Sequence, residues 1–362
     1  MKFKRVTIRD VADRVGCGVA TVSRVLNDSG PASAETRARV LDAAAQLGFR
    51  FNELGRSLQS RRSRTLAVLV PSLLNPVFAS AIQGVQAAAT EEGYQILLAC
   101  ADYDEEAETR ALGTFLAKQV DGAILTVANP DDSAALDLLR QSGVPYCLMF
   151  NQPRGPEPSV GVDNLGAAYA AGRALLSQGH VELAFVALRF QSSERARLRY
   201  QGFAACLREA GASEPKLVEV DHPFGGMETD LARLFAQAPE VTGLFASNDM
   251  LALACLRAAG ALGLQTPEDL SIVGFDGIPV AELTRPSLAT IETPSEEMGR
   301  RAAAAVIRAI QADRAVPAGT RFLDFRFRPG ASLGSPGSER PKAADRRAEW
   351  PDSPPVDLEK RR

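Results

Sequence analysis

From Thr65 onward the chain alternates short aliphatic, β-branched runs with longer helix-forming runs, and this alternation constrains the fold more than any other feature. "TLAVLVP" (65–71) reads as a buried strand, and "PVFASAIQGVQAAATEEG" (76–93) as a helix closed by glycine. "YQILLACA" (94–101) is a strand, "EEAETRALGTFLAKQV" (105–120) a helix and "DGAILTVA" (121–128) a strand. "DSAALDLLRQSG" then reads as a helix and "VPYCLMFN" as a strand. The cycle restarts at "VDNLGAAYAAGRALLSQGH" (162–180) and "VELAFVAL" (181–188) and runs on to "LSIVGFDG" (270–277). Parallel strands need crossovers, and helical crossovers cover both faces of a sheet. Such βα repeats therefore predict two doubly wound parallel-sheet lobes, with a ligand site in the crevice at the carboxyl ends of the strands.

Several function classes are disfavoured. No apolar run reaches the roughly 18 residues that span a bilayer. "MKFKRVTIRD" at the start is charged and lacks the apolar stretch of a secretory signal, so a cytoplasmic protein without membrane association is expected. Five cysteines, at 17, 100, 147, 206 and 255, lie far apart, the pattern of reduced, mostly buried thiols. Only two histidines occur, His180 and His222, and neither lies near a cysteine at ligand spacing, so no metal site and no histidine-based triad is expected. No phosphate-loop lysine motif or G-x-G-x-x-G fingerprint follows a strand, and no nucleophile–base pairing is readable. Neither a cofactor nor catalytic residues are expected, and the chain does not read as an enzyme.

Charge divides the chain. Residues 1–64 hold 13 Lys and Arg against 6 Asp and Glu, whereas the remaining 298 residues hold 28 against 38. A short basic head on a large acidic body fits a polyanion-binding module joined to something else; a solvated charged face is the plainer alternative.

The head itself has a pattern. In "TIRDVADRVG" (7–16), Ile8, Val11, Ala12 and Val15 follow helical spacing, Thr7 and Asp10 stand as a capping pair, and Gly16 ends the run. After "CG" comes "VATVSRVLN", whose inward face is Val22, Val25 and Leu26. Its other face is small and polar around one long cation: Ala20, Thr21, Ser23, Arg24 and Asn27. A third helix follows from Ser33 to Gly48. Helix, glycine corner, short helix, loop and third helix is the helix-turn-helix pattern. Val19 and Ala20 are small enough to reach the major-groove floor and touch thymine methyls. Arg24 can reach a guanine edge or a phosphate, Thr21 and Ser23 can donate to phosphates, and Thr7 and Asn27 are further candidate DNA contacts. Periodicity alone is equally compatible with a three-helix structural cap.

"VTIRDVADRVGCGVATVSRVLNDSG" followed by "SAETRARVLDAAAQLGF" resembles the head of the LacI/GalR (lac-repressor) family of bacterial transcription regulators, densely over residues 6–58. The resemblance implies that Val19 and Ala20 open a recognition helix as base-reading residues, with Arg24 as the family's arginine. Cys17-Gly18 stands where the family usually has Val-Ser, so a capping, phosphate-binding serine is absent. In "RFNELGRSLQSRRSR" (50–64) the resemblance implies a hinge helix that orders when two subunits meet on DNA. Leu58 matches the family's minor-groove wedge, flanked by Asn52, Arg56 and Ser57. Phe51 replaces the usual proline and Gly55 the usual alanine, and glycine inside a helix costs about 1 kcal/mol, so a hinge that is harder to order is expected.

The body resembles the same family over roughly 65–333, through "PSLLNPVFA", "DGAILT", "GVDN", "SQGH", "ERARLRYQGF", "ASNDMLALACLRAAGALG", "LSIVGFDG" and "RPSLATIETPSEEMGR". The resemblance implies a core like that of a periplasmic sugar-binding protein, with Arg199, Asn248 and Asp276 as polar ligand contacts. Asn75, Phe78, Asn151 and Phe224 are further candidate ligand-binding residues, with His222 beside Phe224. The competing readings are an ion pair of Arg199 with Glu194 or Asp276, and turn capping for Asn248 and Asp276. Phe150 displaces the family's usual aspartate or asparagine.

The expected organisation is a DNA-binding head (1–49), a hinge helix or linker (50–64) and an effector-binding and dimerisation body (65–333). One lobe takes about 65–162 and 292–322, the other about 163–291 and 323–333, and 334–362 is a disordered tail rich in proline and charge. Leucine heptads like those at the lac repressor's end are absent, so a homodimer through the core is the default. The expected function is repression of a pseudo-palindromic operator in double-stranded DNA, controlled by a sugar-like or nucleoside-like small-molecule effector. A solute-binding protein or an enzyme carrying a DNA-targeting head is the alternative.

Overall fold

The structure is a computed structural model and describes residues 6–27, 30–49, 62–221 and 225–337. The hinge candidates Asn52, Arg56, Ser57 and Leu58, the pair His222 and Phe224, and the side chain of Asn27 lie outside the described residues. The chain divides into two compact units between Thr65 and Leu66.

The first unit holds α1 (Ile8–Val15), α2 (Val19–Asn27) and α3 (Ala34–Gln46). A reciprocal capping box starts α1: Thr7 N donates to Asp10 Oδ2 at 2.6 Å, and Asp10 N donates to Thr7 Oγ1 at 3.4 Å. Gly16 ends the helix in the left-handed region, with φ 73°, where a side chain would be strained. Ser33 caps α3 by accepting from Thr36 N at 3.2 Å. Val11, Val22 and Val40, one from each helix, are fully buried against one another, with Val15, Val25 and three alanines around them. Leu26 packs against this core only partly buried.

The second unit contains two six-stranded sheets. The first has the order β11-β5-β4-β3-β1-β2. Its strands are β1 (Thr65–Val70), β2 (Gln95–Cys100), β3 (Gly122–Leu125), β4 (Tyr146–Met149), β5 (Ser159–Val162) and β11 (Thr320–Leu323). Helices α4 (Pro76–Glu91), α5 (Glu105–Ala117), α6 (Ala134–Ser142) and α12 (Ser295–Gln311) pack in this lobe. The second has the order β12-β10-β9-β8-β6-β7. It contains β6 (Leu183–Leu188), β7 (Lys216–Val220), β8 (Gly243–Ala246), β9 (Ser271–Asp276), β10 (Ala289–Glu292) and β12 (Arg326–Arg328). It carries α7 (Asn164–Ser177), α8 (Glu194–Glu209), α9 (Met227–Gln237), α10 (Asp249–Ala261) and the short α11 (Val280–Leu283). Apart from Thr65 at the start of β1, the central strands β1, β3, β8 and β9 are buried, as two-sided coverage by helices requires. β12 joins antiparallel, against β10.

The alternation readable in the sequence ends at residue 277, and the chain passes between the lobes three times. It leaves the first sheet after β5, returns between β10 and α12, and crosses again between β11 and β12. The return is held by a close helix crossing. A Cβ on Gly84 of α4 would lie 1.9 Å from the Glu296 carbonyl, and one on Gly299 of α12 would lie 1.9 Å from the Ala81 carbonyl. Only glycine allows this approach.

The expected disorder from residue 334 is corrected at its start. Gly334 O accepts from His180 Nε2 at 2.8 Å, Gly334 N donates to Ser271 Oγ at 3.1 Å, and Gly337 N donates to Glu268 O at 3.2 Å. The polar backbone here is therefore satisfied by the second lobe. Residues from 338 onward lie outside the described residues. No helix among the described residues is long and apolar enough to cross a membrane.

Candidate functional site

On the head, α2 separates its two faces as its spacing requires. Val22 and Val25 are buried, while Val19, Ala20 and Arg24 are exposed and Thr21 and Ser23 are half-buried. Arg24 lies along its own helix, with Nε donating to Ala20 O at 3.3 Å and Nη2 to Thr21 Oγ1 at 3.4 Å. These are weak, exposed bonds, so the guanidinium is available to exchange them for a base or a phosphate. At the corner, Gly18 O accepts from Thr21 N and Val22 N, but no side chain caps the helix there. Thr7 Oγ1 donates to Asp10 Oδ2 at 2.7 Å and is occupied in capping.

In the body the two lobes meet at the carboxyl ends of their strands. Asn75 opens α4 by accepting from Val77 N at 3.1 Å, and its Nδ2 donates across the cleft to Asp276 Oδ2 at 3.0 Å. Asp276 ends β9 and faces Arg199, 3.9 Å away on α8. Arg199 Nε donates to Asn164 Oδ1 at 2.9 Å, Nη1 donates to Ser247 O, and the guanidinium stacks 3.5 Å over the Phe275 ring. Asn248 caps α10 by accepting from Leu251 N at 2.9 Å and also lines the cleft. Phe78 sets its edge on Phe150, with centroids 5.2 Å apart. An inner space of about 30 Å³ lies between Asn75, Phe78, Phe150, Arg199 and Asp276. It adjoins an outer one of about 340 Å³ bounded by Leu74, Asp102, Tyr103 and Arg189. Arg189 Nη2 pairs with Asp102 Oδ2 at 2.9 Å across the rim.

The wall is strained. Asp102, Tyr103, Phe150, Arg189 and Asp276 all have positive φ, from 45° to 119°, and all follow or end strands at the cleft. Non-glycine residues held there mark sites that the surrounding packing over-determines.

Burial sets the electrostatics. It pushes Asp276 up to about 6, against the opposing pull of Arg199 and the Asn75 amide. Burial and the neighbouring charge of Asp276 push Asp249 up to about 8. Its carboxylate nevertheless accepts from Gly277 N, Ile278 N and Thr290 Oγ1, fixing the turn that carries Asp276. Burial lowers Arg199 to about 10. Glu108, on α5, is raised by burial to about 7, with Arg195 opposing.

The structure brings Asn75, Phe78, Arg199, Asn248 and Asp276 to one cleft. Asn151 is a correction: it is fully buried and does not line the space. Its amide grips Val127 N and Val127 O at 2.9 Å each and donates to Glu194 Oε2 at 3.1 Å. It is a tie between a first-lobe loop and the start of α8. Arg199 is buried, and of the two ion pairs considered for it the structure shows the one with Asp276. The residues that sequence reading missed are Arg195 and Tyr103. Arg195 lies one turn before Arg199, its Nη1 donates to Val127 O at 3.2 Å, and its guanidinium sits 5.7 Å from the Tyr103 ring centroid. Its buried Nη2 has no hydrogen-bond partner among the described residues. One helical turn from a known candidate was the available signal. No group of three or more metal-ligating side chains lies together among the described residues.

Comparison with known proteins places the whole architecture. Residues 63–325 match the model described as "Periplasmic binding proteins and sugar binding domain of LacI family". Residues 7–52 match "Bacterial regulatory proteins, lacI family". The chain belongs to the LacI family. As a LacI-family member it is a transcriptional regulator that joins a helix-turn-helix DNA-binding head to an effector-binding body. It is 32% identical over 337 residues to the HTH-type transcriptional regulator GntR of Escherichia coli K12, covering 92% of this chain and all of that protein. A LacI-family regulator from Silicibacter pomeroyi superposes with a TM-score of 0.80 at 27% identity, covering 91% of this chain and 99% of the other. The regulator CelR in complex with cellobiose gives a TM-score of 0.67 at 30% identity, covering 91% of this chain and all of the other. The relatives are named transcriptional regulators, and the enzyme reading falls with that.

Proposed function

We propose that this LacI-family regulator is a cytoplasmic homodimer that represses a pseudo-palindromic operator, and that a small polyhydroxylated effector bound between its lobes sets the operator affinity. Val19, Ala20 and Arg24 read bases while Thr21 and Ser23 hold phosphates; Leu58 wedges the centre of the operator, flanked by Asn52, Arg56 and Ser57. Asn75, Arg199, Asn248 and Asp276 bind the effector, with Phe78 as an apolar wall. The observation that carries this reading is the direct bridge from Asn75 to Asp276, beside Arg199. A ligand hydroxyl between these groups takes over a carboxylate acceptor on one side and an amide donor on the other, so ligand binding and lobe spacing become one equilibrium. That a relative is known in complex with cellobiose favours a sugar.

The test uses the full-length protein. An operator is obtained by in vitro selection, and its affinity is measured by fluorescence anisotropy against a panel of mono- and disaccharides and nucleosides. One class of ligand is expected to shift the affinity about 5- to 150-fold. Asp276→Asn is expected to lose the shift while retaining DNA binding. A ligand that raises the melting temperature through the cleft but leaves operator affinity unchanged would overturn the coupling.

A further inference from the structure

The outer edge of the first sheet carries a second concave site, away from the interlobe cleft. Arg301 and Arg308 on α12, Arg314 in the loop that follows, and Arg321 on the edge strand β11 line one bowl of about 560 Å³. The rest of its wall is small or apolar, including Ala305, Ala309 and Val316, and no Asp or Glu lines it. Arg301 pairs with Glu297 at 2.6 Å. The side chains of Arg308, Arg314 and Arg321 make no hydrogen bond or ion pair with any described residue. This convergence is unusual in a stretch, residues 65–362, that holds 28 Lys and Arg against 38 Asp and Glu. Three uncompensated guanidiniums, with the Glu297-paired Arg301 beside them, in a concavity with apolar walls concentrate a positive field. The buried Cys147 thiol borders the same space, and the charge of Arg321 acts on it against the effect of burial.

We propose that this bowl binds a small oligoanion carrying two or more phosphate groups. Each phosphate bears about 1.5 to 2 negative charges at pH 7, so two phosphates match four guanidinium forks. Arginine presents planar, paired donors suited to phosphate oxygens. The volume falls within the roughly 300–1,000 Å³ of small-molecule sites, which favours a compact metabolite over a polymer. Placement gives such a ligand a consequence. Each of the three wall segments runs straight into a passage between lobes: β5 into α7, β11 into β12, and α12 out of β10. An oligoanion bridging α12 to β11 therefore ties together two segments of the first lobe that each adjoin a passage to the second.

The experiment is hydrogen–deuterium exchange on the full-length protein with inorganic pyrophosphate and tripolyphosphate, at ionic strength matched with sodium chloride. The expected result is saturable protection of peptides spanning 301–321. Affinity should fall about tenfold for each arginine removed, as for lost charge-assisted hydrogen bonds, and protection should vanish in Arg314→Ser/Arg321→Ser. Ala305→Glu, which supplies a carboxylate inside the bowl, is expected to abolish protection without removing any arginine; melting curves confirm that both variants fold. Protection confined to the basic head, protection at 301–321 that persists in both variants, protection reproduced by sodium chloride, or no protection at all would each overturn the proposal.

Discussion

The side chains of Asn75 and Asp276, 201 residues apart in sequence, meet across the cleft at 3.0 Å, the amide donating to the carboxylate. Each is fixed from behind by its own lobe. Asn75 is held by capping α4, and Asp276 by the turn that Asp249 anchors. The bridge therefore reports lobe spacing directly.

Arg199 is the first residue whose removal should be felt in stability. It is buried, and its donors satisfy Asn164 and Ser247 while its charge faces Asp276. Arg199→Ala leaves Asp276 as an unpaired buried charge, so a loss of about 3–5 kcal/mol is expected in urea unfolding. A variant as stable as the wild type would show that Asp276 does not depend on Arg199 for its charge.

Stability should fall as pH rises between 7 and 8. Asp249 is raised from its ordinary value to about 8 in the fold. In that window the unfolded chain has already released the proton that the folded chain still holds, so rising pH favours unfolding. Asp249→Asn keeps one acceptor and removes the titration. Its melting temperature is expected to change less over this interval than that of the wild type; an equal slope in both proteins would assign the pH dependence elsewhere.

On the head, Arg24→Ala should weaken specific operator binding by about 1–3 kcal/mol, read by anisotropy at fixed salt. The guanidinium contributes only weak local bonds to its own helix, so the thermal stability of the head should hardly change. Unchanged operator affinity would sink the assignment of α2 as the reading helix.

Gly299→Ala tests the crossing of α4 and α12. Its Cβ would meet the Ala81 carbonyl at 1.9 Å, so the helices must separate. The expected cost is about 1–3 kcal/mol, typical of overpacking, measured by chemical denaturation. Gly113, with open space around its Cβ position, serves as the control: Gly113→Ala should be neutral or stabilising.

The sequence by itself determined what depends on near neighbours. Thr7 and Asp10 stand three residues apart, so their capping box follows from helix geometry alone. Val22 and Val25 share a face by the same spacing, and the βα alternation requires covered parallel sheets because the central strands are apolar on both sides. The resemblance to the family singled out Asn75, Arg199 and Asp276, and the structure brings the three to one cleft. The tertiary structure decided the rest. Asn151 looks like a ligand contact from its strand end, yet packing seals it against Val127 and Glu194. Arg195 reads as a solvated charge in an arginine-rich helix until the docking of α8 on the first lobe turns it inward. Arg301, Arg308, Arg314 and Arg321 are scattered surface charges in one dimension and one electropositive bowl in three. Local spacing fixes which face a side chain takes, but only the docking of distant segments fixes which side chains share a cavity, and with it their solvation and charge.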